Sequence, residues 1–223
     1  MKILNLYAGI GGNRKLWGDE YSQYEITAIE LEPSICKVYQ ELYPADTVLC
    51  YDAHQYLLEN YKEFDFIWSS PPCPTHSRMR NSLVKSPAVY PDMKLYEEII
   101  FLQTFYKGDW VVENVIPFYQ PLIRPVAGLD RHLFWSNRHI GKAKGGRTFG
   151  RITDQTKETL ATSHAIVLPQ GTQNQRKLLR NAVDPELGLH VFNAVNRATS
   201  QQQVNDLVEL DLFGEVSVTN PPK

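Results

Sequence analysis

Residues 64–77 read FDFIWSSPPCPTHS. The run FDFIWS has the length and the apolar, aromatic character of a buried strand. Pro71 and Pro72 then stop it, because proline lacks an amide hydrogen and fixes its own φ, so the segment cannot continue a sheet. The strand therefore ends in a stiff turn that presents Cys73. Such a turn is a poor way to build a core cysteine and a good way to aim a nucleophile.

The same alternation extends on both sides. KILNLY (2–7) reads as a first strand, followed by a short helix candidate at NRKLWGDEY. EITAIE (25–30), TVLCYD (47–52) and DWVVENV (109–115) read as further strands. Between them PSICKVYQELY (33–43), opened by Pro33, AHQYLLENY (53–61) and YPDMKLYEEIIFLQTF (90–105) have helical spacing. Repeated βαβ units predict an α/β fold with a doubly wound, mostly parallel sheet and helices on both faces. The pattern changes after about residue 120. RHLFWSN (131–137) is strand-like, GKAKGGRTFGRITDQT is a glycine-rich basic loop, and DPELGLHVFNAVNRA (184–198) returns to helix. The expected organisation is a main domain over 1–120, a small basic appendage over 121–180, a returning helix over 181–198 and a polar tail over 199–223.

Composition sets outer limits. The 223 residues are 43% hydrophobic and 22% charged, an ordinary globular balance. No apolar run is long enough to span a membrane, and the N-terminus reaches its glycines too early for a signal peptide. Three widely spaced cysteines imply reduced thiols in a cytoplasmic setting, with no zinc pattern and no metal site. Net charge is −2, yet residues 121–180 hold eleven Lys and Arg against three Asp and Glu. A solvated face would account for this; an anionic partner docking on the second half accounts for it better.

Three strand ends carry glycine or an acid where doubly wound sheets bind ligands. LNLYAGIGG places glycines after the first strand, where backbone can approach a ligand closely. Glu30 closes the second strand and can accept hydrogen bonds from ribose hydroxyls; Asp52 closes the third. Each acid is as readily a helix cap. A nucleoside-containing cofactor fits the set. Glu113 ends the fifth strand, near Cys73 across a parallel sheet. An unpaired buried carboxylate is costly, so Glu113 is expected at the site rather than in the core, with a raised pKa suited to donating a proton.

The ordered set LYAGIGG, IELEP, YDA, SSPPCPTHS, VVENV, RHLFWSN and RNAVDP resembles the DNA cytosine-5 methyltransferases, over about residues 1–198. The resemblance implies a Rossmann-like, S-adenosylmethionine-dependent fold. It implies a cofactor site of Tyr7, Gly9, Ile10, Gly12, Glu30, Leu31, Asp52, Ala53, Pro72 and Asn181. Cys73 would be the nucleophile, Glu113 would contact the ring nitrogen and amino group of a flipped cytosine, Asn114 would support it, and Arg131 would lie near the base or its phosphate. DNA contacts would come from Ser77, Arg78 and Arg80 after the cysteine and from Lys142, Lys144, Arg147 and Arg151 in the basic loop. Pro74 stands where the family usually has glutamine, Arg180 where it has glycine, and Leu31 where an aromatic is common. About 40 residues separate RHLFWSN from RNAVDP, too few for the usual recognition domain, so short or weak sequence specificity is implied. The small size suggests a solitary or phage-like modifier acting as a monomer on DNA in a bacterial or virus-infected cell.

Three other readings stand beside this one. An exocyclic-amino methyltransferase would use SPP followed by an aromatic, but Cys73 replaces the aromatic and VVENV is left without a role. An RNA cytosine methyltransferase is compatible with the reduced recognition region. A catalytically silent nucleic-acid-binding relative would not need the Cys73–Glu113 pair. In the tail, ELDLF (209–213) is either a short docking element or, with Leu210, Leu212 and Phe213 as anchors, similar to peptides that bind the replication sliding clamp.

Overall fold

The computed structural model describes residues 1–18, 24–78, 88–142 and 156–196. The expected contacts Arg80, Lys144, Arg147 and Arg151, and the tail anchors Leu210, Leu212 and Phe213, lie outside the described residues.

One mixed sheet organises what is described. Its strands are β1 (Lys2–Leu6), β2 (Glu25–Glu30), β3 (Thr47–Cys50), β4 (Phe66–Ser69), β5 (Asp109–Val115), β6 (Ala127–Leu129) and β7 (His132–Ser136). They run in the order β3-β2-β1-β4-β5-β7-β6. β1 to β5 are parallel neighbours, while β7 is antiparallel to β5 and β6 to β7. The sheet therefore runs on past residue 120, and the basic region 121–180 supplies two of its strands. Chain direction across the sheet reverses between β1 and β4. In such sheets the loops leaving the two strands at the switch point diverge, and ligands bind in the crevice between them at the carboxyl edge.

Alternate strand residues enter two different cores, so the central strands are apolar on both faces. Leu4, Leu6, Ile67 and Val112 face helices α2 (Ala53–Asn60) and α3 (Lys94–Phe105), where Leu57, Leu95, Ile99 and Leu102 meet them. Ile3, Phe66, Trp68, Val111 and Phe134 face the other way. Their cover comes from helix α6 (185–196) through Leu187, Val191, Phe192 and Val195. A third cluster joins α1 (Pro33–Leu42), α4 (Lys157–His164) and α5 (Gln175–Asn181) through Val38, Leu160 and Leu179 around Ile10.

The first helix candidate does not form over its described part. Asn13–Trp17 is a succession of turns, with Trp17 N–H donating to Arg14 O at 3.0 Å. Its side chains are committed in different directions. Asn13 pairs with Asn5 (2.8 Å), Arg14 grips Asp46 through two bonds (2.7 and 2.8 Å), and Trp17 enters the second core. These tertiary attachments override local helical spacing.

Two glycines let the returning segment lie directly on the N-terminal turn. A Cβ at Gly12 would fall 2.4 Å from Val183 O, and one at Gly188 2.4 Å from Asn13 O. Trp17 stacks on Phe192 at 4.9 Å and donates its indole N–H to Gly188 O. Phe192 also meets Phe66 edge-on at 5.3 Å. Phe192→Ala should thus cost about 3–5 kcal/mol, the range for emptying an aromatic site in a core. Urea unfolding of the variant against the parent chain measures it, with an unchanged slope expected.

Candidate active site

The turn after β1 is built from left-handed backbone: Tyr7 has φ +54°, Gly9 +55° and Gly11 +69°. For Tyr7 this conformation costs roughly 1–2 kcal/mol, and its side chain is correspondingly tied down. Its hydroxyl donates to Glu98 Oε1 at 2.5 Å. Glu98 projects from α3 and is buried; Ser69, the last residue of β4, donates to its other oxygen at 2.5 Å, and His54 Nδ1 of α2 lies 2.9 Å from Oε1. One carboxylate thereby joins the glycine turn, the strand leading to Cys73 and the start of α2. Burial, then the Glu98 charge, pushes the Tyr7 phenol far above its ordinary value. The hydrogen bond to Glu98 raises the His54 imidazole.

Glu30 organises the same crevice. Its Oε2 accepts the Gly9 N–H at 3.0 Å, and its Oε1 accepts the N–H groups of Leu31 and Glu32 at 2.9 and 3.0 Å. A carboxylate oxygen with one donor keeps a further lone pair for a hydroxyl. A Cβ at Gly9 would meet nothing within 4 Å, so the space over this turn is open. Leu31 beside it is an apolar side chain at 66% exposure. An open cradle, an acid at the second strand end and an uncovered apolar side chain suit the ribose and adenine of a nucleoside cofactor. Asp52 caps α2 by accepting the Gln55 N–H at 3.0 Å, a bond that holds its carboxyl low. Ala53, the first residue of α2, is buried, and Pro72 is exposed. Ile10 belongs to the third core and Gly12 lies beneath Val183, so both shape the turn from behind. Asn181 ends α5, next to the Ala182–Val183 step that packs on Gly12.

The cysteine turn is fastened on both sides. Ser70 N–H donates to Leu6 O at 3.3 Å, and Asn114 Nδ2 donates to Pro71 O at 2.9 Å. Cys73 O accepts from His76 and Ser77 N–H at 3.0 and 3.1 Å. Ser77 bridges to Pro117, and Arg78 Nε donates to Pro117 O at 3.2 Å. The His76 ring contacts the Tyr119 hydroxyl at 2.6 Å. Cys73 itself is half-buried. Burial and the Glu113 charge push its thiol up, against the pull of Arg131 and Arg180.

Glu113 is buried, contrary to the sequence-based expectation, and Asn114 beside it is buried too. The expected raised pKa also does not hold. Burial alone would raise the carboxyl, but His132, Ser70 and Arg131 together bring it below the ordinary range. His132 Nδ1 is hydrogen-bonded to Glu113 Oε1, and the Ser70 hydroxyl, which accepts the Trp68 indole N–H at 2.9 Å, bonds to the same carboxylate. The carboxylate is tolerated in the interior because it is paired. Arg131 donates through Nη2 to Arg180 O at 3.0 Å, which brings the start of β7 and the end of α5 together at the site. Lys142 is exposed. Among the described residues no group of three or more His, Cys, Asp or Glu could hold a metal ion.

Cys73, Glu113, Asn114 and Arg131 thus converge at one edge, with Glu30 and the glycine turn across the crevice. Sequence reasoning missed His132, Ser70, Glu98 and Arg180 as members of this arrangement. For His132 a signal existed: it is adjacent to Arg131, and antiparallel pairing of RHLFWSN with VVENV sets it diagonal to Glu113.

Sheet order, glycine turn and acid at the second strand end define a Rossmann-like fold with a nucleoside-binding type of crevice. The model of the family described as C-5 cytosine-specific DNA methylase matches residues 1–115, and the chain belongs to that family. Among solved structures, DNMT2 of Spodoptera frugiperda is 27% identical, with 51% of this chain and 35% of that chain covered and a TM-score of 0.38. The Entamoeba histolytica methyltransferase EhMeth is 13% identical, with 52% and 38% covered and a TM-score of 0.36. A SAM-dependent methyltransferase from Agrobacterium tumefaciens is 15% identical, with 53% and 40% covered and a TM-score of 0.37. The chain thus matches 40% or less of the length of each of these proteins. No curated protein matches it.

The thiol's environment gives a direct expectation. Alkylation needs the thiolate, so iodoacetamide labelling of Cys73 should rise only above the ordinary thiol range near pH 8.5. Glu113→Gln removes the opposing negative charge and should move that rise to lower pH. Peptide mass spectrometry separates Cys73 from Cys36 and Cys50.

Proposed function

We propose that this chain transfers a methyl group from S-adenosylmethionine to carbon 5 of cytosine in DNA through a covalent Cys73 adduct. The observation that supports it most is the meeting of Cys73, on a proline-stiffened turn, with Glu113 at the sheet edge beside an open glycine cradle. The cofactor supplies an electrophilic methyl group. The residues for it are Tyr7, Gly9, Glu30, Leu31 and Asp52.

Cytosine carbon 5 is a poor nucleophile. Addition of the Cys73 thiolate to carbon 6 turns the ring into an enamine-like species, and ring nitrogen 3, which faces Glu113, takes up a proton as the displaced electron pair reaches it. Carbon 5 then accepts the methyl group and releases its proton to solvent, and the sulfur leaves with its electron pair. Asn114 holds the cysteine turn through the Pro71 carbonyl, and Arg131 and Arg180 favour the thiolate. The base must leave the duplex stack to reach Cys73, at a cost of a few kcal/mol. Positive charge in 121–180, with Arg78 beside the cysteine turn, would meet phosphates. The short interval between β7 and α5 supports limited sequence readout.

Incubation with labelled S-adenosylmethionine and either DNA or RNA, followed by digestion to nucleosides, tests the reading. The expected product is 5-methyl-2′-deoxycytidine. N-methylated bases, or 5-methylcytidine from RNA alone, would replace it with another reaction. Cys73→Ser should abolish transfer while leaving cofactor affinity within about twofold, since the cofactor cradle is built from other residues. Full activity in that variant would end the covalent mechanism.

A further inference from the structure

Glu113 lacks what the addition step demands of it. When sulfur bonds to carbon 6, the C5=C6 pair moves to C4–C5 and the C4=N3 pair moves onto nitrogen 3, which needs a proton. Held below its ordinary range, Glu113 is a carboxylate at neutral pH and has no proton of its own to give.

His132 is placed to supply one. Glu113 and His132 lie on the same face of antiparallel strands, Glu113 opposite Phe134 and His132 opposite Val115, so the two side chains meet on the diagonal. His132 Nδ1 bonds to Glu113 Oε1, both residues are buried, and Phe134 backs the imidazole at 6.3 Å. The nearby charged and titratable groups are Glu113 from β5, Arg131 and Asp130 from the β6–β7 turn, Cys73 from the cysteine turn and Arg180 from α5.

We propose that His132, acting through Glu113, stores the proton that nitrogen 3 of the target cytosine takes up when Cys73 adds, and receives it back when the sulfur leaves. This rests on the methyl-transfer reading above. In the forward step Glu113 gives a proton to nitrogen 3 as His132 Nδ1 gives one to Oε1, and the imidazolium becomes a neutral imidazole. After methylation the nitrogen 3 proton returns through Glu113 to His132, so each group ends as it began. His132 is a positioning residue that reaches the base only through Glu113.

His132→Asn separates proton storage from hydrogen bonding, because the amide nitrogen can still donate to Glu113 but carries no exchangeable charge. Single-turnover formation of 5-methylcytosine should fall at least about 10²-fold, the usual scale for a lost proton-transfer group, with DNA and cofactor affinities within about twofold. A variant with the parental single-turnover rate overturns the proposal. Should the variant not fold, His132→Gln is measured in its place, and a parental rate there overturns it equally. A parent chain that makes no 5-methylcytosine defeats the methyl-transfer reading, and this proposal with it. Methylation by the parent with an unaffected His132→Asn defeats only the proposal.

Discussion

A parallel sheet that is apolar on both faces has to be covered on both, and the arrangement of this chain follows from that requirement. The βαβ units cover one face with α2 and α3 as they form. The face bearing Phe66, Trp68 and Phe134 is covered instead by α6, from the far end of the described chain. To reach it the chain crosses the glycine turn, and Gly12 and Gly188 have no side chain because backbone lies directly against them. The cover of the sheet and the shape of the cofactor crevice are one packing problem. Arg131 and Arg180 meet for the same reason, since α5 leads into the covering segment.

The second requirement is electrostatic. Two carboxylates, Glu98 and Glu113, are buried near the crevice, and each is surrounded by hydrogen-bonding partners drawn from different elements. Glu98 gathers Tyr7, Ser69 and His54, and so fixes the glycine turn relative to the strand carrying the cysteine. Glu113 gathers His132 and Ser70. Buried charges are stable only with such partners, so each carboxylate fixes the orientation of its neighbours as firmly as they fix it. The preorganisation that an acid and a nucleophile need is therefore distributed over β4, β5, β7 and α3.

Much of this was legible before any coordinates. The strands β1 to β5 announced themselves by apolar runs ended by glycine, acid or proline, β7 by its apolar, aromatic run alone, and the cysteine turn was readable because proline leaves so few alternatives. The misreadings share a physical cause. NRKLW has helical spacing, but its side chains answer to Asn5, Asp46 and Phe192, partners far away in sequence. Glu113 looked like a residue that must avoid burial, because His132 becomes its neighbour only through antiparallel pairing. β6, α4 and α5 are short and lie in a basic, weakly periodic stretch, so nothing local distinguishes them from loop. Local pattern carries the elements; the long-range pairings that settle protonation and the packing of the crevice are not in it.

Trp17 lying flat against Phe192 has a consequence for how the chain is made. Synthesis proceeds from the N-terminus, so β1, β4 and β5 are complete roughly 80 residues before Val195 is added. At ordinary ribosomal speeds of about 5–20 residues per second, the aromatic face around Phe66 and Trp68 waits roughly 4–16 seconds for its partner. A nascent sheet with one bare aromatic face is the kind of species that sticks to other nascent chains. The order of synthesis thus leaves that aromatic face open to chaperones and to neighbouring chains before α6 exists to cover it.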